Sequence, residues 1–248
     1  MKLTKKTGLV TGVLAGITML IAPAAFAANT LSVDGSTASG TVNVTGSLSG
    51  TLSFATDSLP SVPASCSNAA VSGTVARGGS VTAGSTIGQI TNLTFGTAGT
   101  PCVATSLNYP VLITKTPAGT KTPAAPASWP IVVTATPAKG AATVPIRIDS
   151  VDVKMQSTAK TGSPASYICD LRARGSVTGT FNQTTQQIVI NPPSGTFPIN
   201  NITAYNGAGT NTASPSGITC SNQIYTGDSA RMTGTFTLST PGVGGIHW

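Results

Sequence analysis

The amino-acid sequence predicts an all-β protein, an antiparallel β-sandwich or a barrel-like sandwich stabilised by two disulfides. Several segments alternate apolar and polar residues with a period of two, which is typical of half-buried strands. The chain contains 28 Gly and 17 Pro among its 248 residues, and long helix-forming runs are missing. The third observation is a set of four cysteines, Cys66, Cys102, Cys169 and Cys220, behind an N-terminus typical of exported proteins.

The N-terminal segment, residues 1–27, has the pattern of a cleavable signal peptide. A start that carries three lysines precedes an apolar stretch over residues 9–22, which is too short and too broken by glycine to span a bilayer comfortably. Ala25 and Ala27 supply the small residues that a signal peptidase needs, so we expect cleavage after Ala27, with Ala24 as the alternative. The rival interpretation is a retained anchor. Residues 28–248 then form one secreted β-domain, released or held at the cell surface, without a transmembrane segment.

Charge is sparse along the chain and argues against two classes of protein. The six acidic residues are all Asp, and the formal net charge of +7 includes the three lysines of the signal peptide. The remaining basic residues are scattered instead of forming the stripe with aromatics that nucleic-acid binders use, so we expect no nucleic-acid partner. A hydrophobic content of 40% and a mean hydropathy of +0.22 argue against disorder.

The clearest strand candidate is Thr41–Phe54. Its apolar residues Val42, Val44, Leu48, Leu52 and Phe54 all fall on even positions, whereas every odd position is Thr, Asn or Ser. This alternation predicts a long half-buried antiparallel strand. Glycines at two even positions predict a bend within it, or two strands that meet at a corner. Shorter candidates follow at residues 71–75 and 87–95.

Residues 109–145 contain seven prolines and two strand candidates, Val111–Thr114 and Ile131–Thr136. We expect an exposed hairpin with a stiff, proline-rich tip here, because the connecting residues cannot donate regularly to a sheet. A linker between domains is the alternative.

The segment VPIRIDSVDVKMQ changes the parity of its apolar residues. Ile146 and Ile148 share one face, whereas Val151, Val153 and Met155 have the opposite parity. One extra residue near Asp149 and Ser150 would bring both sets inward, so the pattern predicts a β-bulge there.

The following segment, YICDLRARGSVTGTF, is expected to pair with VPIRIDSVDVKMQ in a hairpin. Its outer face would place Asp170 and Arg172 opposite Asp152 and Lys154 as exposed pairs with a structural role. A second hairpin is expected over residues 181–190, with its turn at 182–185, and the last strand at RMTGTFTLS.

Four cysteines allow three disulfide pairings in an exported chain. We favour Cys66–Cys102 and Cys169–Cys220, because neighbours in sequence usually close first in a meandering sheet. A metal site is not expected, since no C-x-x-C pair occurs and the single histidine, His247, lies far from the cysteines.

No catalytic constellation is visible, so we expect a protein that is not an enzyme. The lone imidazole is penultimate to the C-terminus, and the closest carboxyl pair, Asp149 and Asp152, is expected to split between the bulge and the outer face. No nucleophile elbow or phosphate-binding glycine loop is present, and no cofactor is expected.

The scattered aromatic residues offer one candidate surface contact, Trp129, in the proline-rich segment. The alternative for Trp129 is that its ring covers the edge of a sheet, as partly buried tryptophans often do.

Four segments together resemble a group of uncharacterised secreted actinobacterial proteins: ITNLTFGTAGTPC, SWPIVVTAT, YICDLRARGSVTGTF and the late ITC. The resemblance covers about residues 87–240. The chain departs from the pattern by an extra TAGTP before Cys102 and by the order of Trp129 and Pro130. The resemblance implies a secreted all-β fold without an assigned role.

The sequence therefore favours a non-enzymatic secreted or cell-envelope β-protein that presents a surface rich in Thr, Ser and Asn to a protein partner or to the wall. The alternative is an extracellular carrier that holds a small molecule or lipid in a cavity between the sheets. A hydrolase is a third, more distant option. A carrier needs an apolar cavity of several hundred cubic ångströms, whereas a structural module is packed solid.

Overall fold

A computed structural model gives the fold of the chain. The structure describes residues 29–56, 64–96, 99–104, 109–119, 124–157, 168–190, 197–205, 219–220, 224–225 and 228–248. The signal peptide expected at residues 1–27 lies outside this described part. The described residues include no helix of the length and apolarity needed to cross a membrane.

Regular structure in the described residues consists of β-strands, which confirms the all-β prediction. In chain order the strands are β1 Asn29–Thr30, β2 Ser32–Val33, β3 Gly40–Thr56, β4 Ala64–Cys66, β5 Ala69–Arg77, β6 Ser80–Val81, β7 Thr86–Phe95, β8 Cys102–Ala104, β9 Tyr109–Lys115, β10 Trp129–Val133, β11 Thr143–Ser157, β12 Ile168–Asn182, β13 Gln187–Ile190, β14 Phe197–Tyr205, β15 Thr219–Cys220, β16 Ile224–Tyr225, β17 Ser229–Ser239 and β18 Ile246–His247.

Eight antiparallel pairings close the sheet into a barrel. The circuit, called the first ring, runs β3–β5–β7–β10–β11–β12–β13–β17 and returns to β3. Closure leaves these strands without the unpaired edges that an open sheet would present to other chains. The barrel form of the predicted antiparallel fold is therefore the one observed.

A second circuit of eight strands continues the barrel at one end of the first. This second ring runs β3–β4–β8–β9–β11–β12–β14–β17. Four long strands, β3, β11, β12 and β17, belong to both rings, and the pairing of β7 with β9 connects the rings further. The length of these four strands, 11 to 17 residues, is what allows one wall to serve two rings.

The strand β3 confirms the long strand expected over Thr41–Phe54. Val44, Leu52 and Phe54 are buried, whereas the odd-numbered side chains of its first half are exposed. The expected bend lies at Gly50, whose φ of 87° is readily available only to glycine. It falls where β3 passes from its pairing with β5 to its pairing with β4.

The predicted bulge in β11 is confirmed. The register with β12 shifts between Ile148 and Val151, and Ser150 has a φ of 59°. Ile148, Val151 and Val153 are all buried as a result of the extra residue. The hairpin of β11 with β12 and the tight turn between β12 and β13 are also as expected.

The hairpin expected within residues 109–145 is wrong in its pairing. Among the described residues, β9 and β10 do not pair with each other, and each instead pairs with β7 and with β11. The two strands therefore occupy the same place in the wall, one in each ring. The prolines indicate that the connection between β9 and β10 is irregular. The strands with which β9 and β10 pair depend on residues that are distant in the sequence.

Candidate functional site

Ionised side chains are concentrated on β11 and β12. These two strands carry three of the six aspartates of the chain, together with four basic residues. The set comprises Arg147, Asp149, Asp152, Lys154, Asp170, Arg172 and Arg174. The side chain of Asp170 lies outside the described part of the structure.

The charged pairs of this hairpin are partly buried, contrary to the expectation that they are exposed. Cross-strand register places Asp152 opposite Arg174 and Lys154 opposite Arg172. Asp152 is 0% exposed and Arg172 is 3% exposed. Strand alternation correctly assigned these residues to the outer face, but that face is covered around Asp152.

A single carboxylate holds two guanidinium groups in this cluster. Arg172 Nε donates to Asp152 Oδ1 over 2.7 Å, and Arg172 Nη2 donates to Oδ2. Arg174 Nε lies 2.9 Å from the same Oδ2 atom. Because one negative group faces two positive groups, the three side chains together carry an excess of one positive charge.

Two buried polar atoms beside Asp152 have no hydrogen-bond partner within the described structure, Arg172 Nη1 and Thr116 Oγ1. Thr116 follows β9, and its backbone N–H donates to the carbonyl oxygen of Asp152 over 3.0 Å. A buried donor without a partner costs about 1–3 kcal/mol. The described structure holds three more such atoms away from Asp152, namely Trp129 Nε1, Thr178 Oγ1 and Trp248 Nε1.

Lys115 lies on the other side of the same strand pair. Its Nζ donates to the carbonyl oxygen of Pro126 over 3.1 Å and lies 5.9 Å from the centroid of the Trp129 ring. Burial lowers the pKa of Lys115, and the negative charge of Asp152 opposes that shift. Lys115 thus adds positive potential on the inner side of the wall that carries Asp152.

An open groove of about 530 Å³ lies at the bulge of β11. Its lining residues are Asp149, Ser150, Val151, Arg174, Gly175 and Ser176. Asp149 accepts a hydrogen bond of 2.9 Å from Arg147 Nη2, so its charge is compensated within the protein. The groove lies where the register of β11 with β12 shifts between Ile148 and Val151. It gives the 28%-exposed side chain of Arg174 access to solvent.

A second surface differs in chemistry and lies on the outer side of β17, β3, β5 and β7. Cross-strand register aligns its side chains in rows, for example Thr237 with Ser47 and Asn43 with Thr74. We call this surface the hydroxyl face. Its members are neutral, polar and exposed or half-buried: Thr41, Asn43, Thr45, Ser47, Ser49, Ser72, Thr74, Gln89, Asn92, Thr94, Thr233, Thr235, Thr237 and Ser239. The four strands include two charged residues, Arg77 and Arg231, near the ends of their strands.

The interior of the first ring is filled by apolar side chains. A cavity of about 40 Å³ remains among residues that include Val44, Val71, Val151 and Phe236. This volume is about that of one or two water molecules. It is far below the several hundred cubic ångströms that a carrier for a small molecule needs.

Trp129, the candidate surface contact, lines this interior cavity and is 1% exposed. Its side chain therefore offers no outer surface to a partner. The residue begins β10, and strand parity turns its ring inward together with Ile131 and Val133. The proline-rich surroundings of Trp129 suggested an exposed position, whereas its parity within β10 indicates the inward side.

The cysteines confirm one of the two expected disulfides. Cys66 and Cys102 are bonded, buried and separated by 36 residues, and they connect the neighbouring strands β4 and β8 of the second ring. Cys169 lies in β12 and Cys220 in β15. Their side chains lie outside the described part, so the second bridge stays a prediction.

The described residues contain no group of three potential metal ligands drawn from His, Cys, Asp and Glu. His247 lies in β18, where its Nε2 atom is 2.6 Å from the carbonyl oxygen of Gly244.

No protein-family model, curated protein or solved structure matches this chain. The resemblance to secreted actinobacterial proteins stays a prediction. The sequence predicted a surface rich in Thr, Ser and Asn, but it did not indicate which strands form that surface. It assigned the residues around Asp152 to exposed pairs with a structural role. The available signal was the concentration of charge on one hairpin of a chain that has only 8% charged residues.

Proposed function

We propose that this chain is an exported, non-enzymatic β-barrel protein that binds a hydroxyl-bearing polymer of the cell envelope through the hydroxyl face. The observation that carries the proposal is the hydroxyl face itself, which extends over four adjacent strands of one wall. Regular strand geometry repeats donors and acceptors at about 4.8 Å between strands and about 7 Å along each strand. Such a regular array matches a partner that repeats its own hydroxyl groups.

The neutrality of the face supports binding by hydrogen bonds. Hydroxyl and amide groups both donate and accept, and they cost much less to desolvate than ions do. A wall polymer can therefore cover this face and replace its bound water without leaving a buried charge unpaired. The charged ends at Arg77 and Arg231 would remain at the margin.

The small interior cavity supports this proposal over a carrier function. A ligand of drug or lipid size would have to displace the side chains that fill the first ring, at a cost typical of disrupting a close-packed core. Native mass spectrometry of protein purified from its own host tests this alternative. A stoichiometric apolar ligand that co-purifies with the barrel would contradict the proposal.

Cosedimentation with insoluble cell-wall material from the host tests the binding face. Thr41, Thr45 and Thr233 are exposed members of the hydroxyl face, and valine at these positions removes three hydroxyl groups while it preserves β propensity. We expect the triple variant to bind the wall at least about tenfold more weakly, since each lost hydrogen bond contributes about 1 kcal/mol.

The matched control replaces Thr134, Thr143 and Thr180 with valine. These threonines are also exposed but lie outside the hydroxyl face. We expect the control to sediment like the unmodified protein. Equal losses in the two triple variants, or no sedimentation of the unmodified protein, would contradict the proposed face.

Export is tested separately by the intact mass of the protein recovered from the host culture. The pattern of residues 1–27 supports a chain that begins at Ala28, after removal of the signal peptide. Recovery of a chain that still begins at Met1 would contradict export by cleavage.

A further inference from the structure

We propose that the cluster of Asp152, Arg172 and Arg174, together with the groove at the β11 bulge, is a binding site for a carboxylate group. This site goes beyond the proposed function, because it lies on β11 and β12 and not on the four strands that form the hydroxyl face. Its first support is charge. One buried carboxylate is shared by two guanidinium groups, which leaves one positive charge uncompensated within the cluster.

The second support is an unsatisfied buried donor. Arg172 Nη1 has no partner in the described structure, although the side chain of Arg172 is only 4% exposed. Thr116 Oγ1, on the neighbouring strand segment, is in the same condition. A cationic donor that is kept from water costs more than a neutral one. Arg172 and Thr116 do not line the groove, so this buried donor adds positive potential behind Arg174, which is the residue of the cluster that a ligand in the groove can contact.

The third support is access. Arg174 lies in the lining of the groove, and its Nε atom is fixed by Asp152. The planar guanidinium that is positioned in this way has further N–H donors for a ligand in the groove. Ser150 and Ser176 add hydroxyl groups to the same lining, and the groove is open to solvent.

The chemistry of the excess charge favours a monoanion. A carboxylate carries one negative charge and accepts two parallel hydrogen bonds from a guanidinium. A phosphate dianion carries two negative charges and would exceed the single uncompensated charge of the cluster.

Titration of the ¹⁵N-labelled protein with sodium acetate tests the site by NMR. We expect saturable shifts of the backbone amides of Ser150, Gly175 and Ser176 and of the Arg174 Nε–H signal. Sodium chloride at the same ionic strength is the control for screening. Equal shifts with chloride, or tighter saturation by phosphate than by acetate, would overturn the assignment.

Two larger probes identify the source of the carboxylate. Glucuronate presents it on a sugar, and glycylglycine presents it at a peptide C-terminus. Tighter binding of one of them than of acetate assigns the group to a polysaccharide or to a peptide, respectively. Equal binding of all three assigns a free small carboxylate.

The variant Arg174→Lys keeps the charge beside Asp152 and removes the planar fork. We expect it to bind acetate about tenfold more weakly, because a bidentate guanidinium contact is lost. Lys139→Gln removes a charge from an exposed loop residue and should bind acetate like the unmodified protein. Unchanged acetate affinity in a folded Arg174→Lys variant, or an equal loss in Lys139→Gln, would overturn the proposal.

Discussion

The hydroxyl face and the cluster around Asp152 both lie on the outer side of the barrel wall, but their polar side chains differ in exposure to water. On β3 and its neighbours, neutral polar side chains are exposed to water. On β11 and β12, the ionised side chains of Asp152 and Arg172 are buried. Ionised groups normally stay in water unless they are paired, so the second arrangement needs a specific cause. Strand alternation therefore determines which side of the wall a residue faces, whereas the burial of that residue depends on what covers that side.

The difference has an energetic consequence. A neutral hydroxyl at the surface exchanges one hydrogen-bond partner for another at little cost, so the hydroxyl face can vary without loss of stability. The buried cluster is interdependent, because each ion there relies on the others for its solvation. Stability should therefore respond strongly to changes at β11 and β12 and weakly to changes of neutral side chains on β3.

The largest expected effect is that of Asp152→Ala. Removal of this carboxylate leaves the buried guanidinium of Arg172 without a counter-charge, and we expect a loss of about 3–5 kcal/mol in the free energy of unfolding. Urea denaturation with the disulfide intact measures this loss.

Asp149→Ala is the matched control on the same strand. Asp149 pairs with Arg147 at the surface, where their side chains are 29% and 44% exposed, so its loss should cost at most about 1 kcal/mol. Similar losses in the two variants would show that the cluster around Asp152 is solvated like a surface pair and would remove the contrast between the two regions.

A smaller effect is expected from a backbone contact beneath the hydroxyl face. Gly73 lies at the register shift between β5 and β7, and a Cβ atom there would be only 2.0 Å from the carbonyl oxygen of Gln89. Gly73→Ala must therefore displace the backbone, and we expect a loss of about 1–3 kcal/mol in a urea titration.

Gly79→Ala is the control, because the nearest atom to its added Cβ would be 3.7 Å away. We expect it to unfold at nearly the same urea concentration as the unmodified protein. If Gly73→Ala also left the urea midpoint of unfolding unchanged, the close approach of β5 and β7 would not explain why position 73 is a glycine.

Local sequence predicted the parts of the fold that depend on local geometry. The parity change between Ile148 and Val151 was sufficient to place the bulge, because the side of each residue follows from counting along a strand. The partners of β9 and β10 were not predictable in this way, since no local signal specifies whether a strand pairs with its neighbour in sequence or fills a gap between distant strands. For the same reason the sequence could not show that Asp152 is covered. The inward side of Trp129, by contrast, had a local signal, because Trp129 shares its parity in β10 with Ile131 and Val133.

The smallest effect concerns a third environment for a carboxylate, at Asp34. Asp34 accepts hydrogen bonds from Thr240 Oγ1 over 2.6 Å and from the backbone N–H groups of Gly242, Gly244 and Gly245. The hydrogen bond from Thr240, aided by the three amides, lowers the pKa of Asp34 below its ordinary value of 3.8. Because the pKa is lower in the folded state, the resulting stabilisation is present above about pH 3.8 and is lost as the pH falls through the folded-state value. Hydrogen exchange of the Gly244 and Gly245 amides, corrected for intrinsic rates, should lose protection in that range while the amides of β3 stay protected. Asp34→Asn should show weaker protection without this pH dependence, and a pH profile identical to that of the unmodified protein would exclude Asp34 as the titrating group.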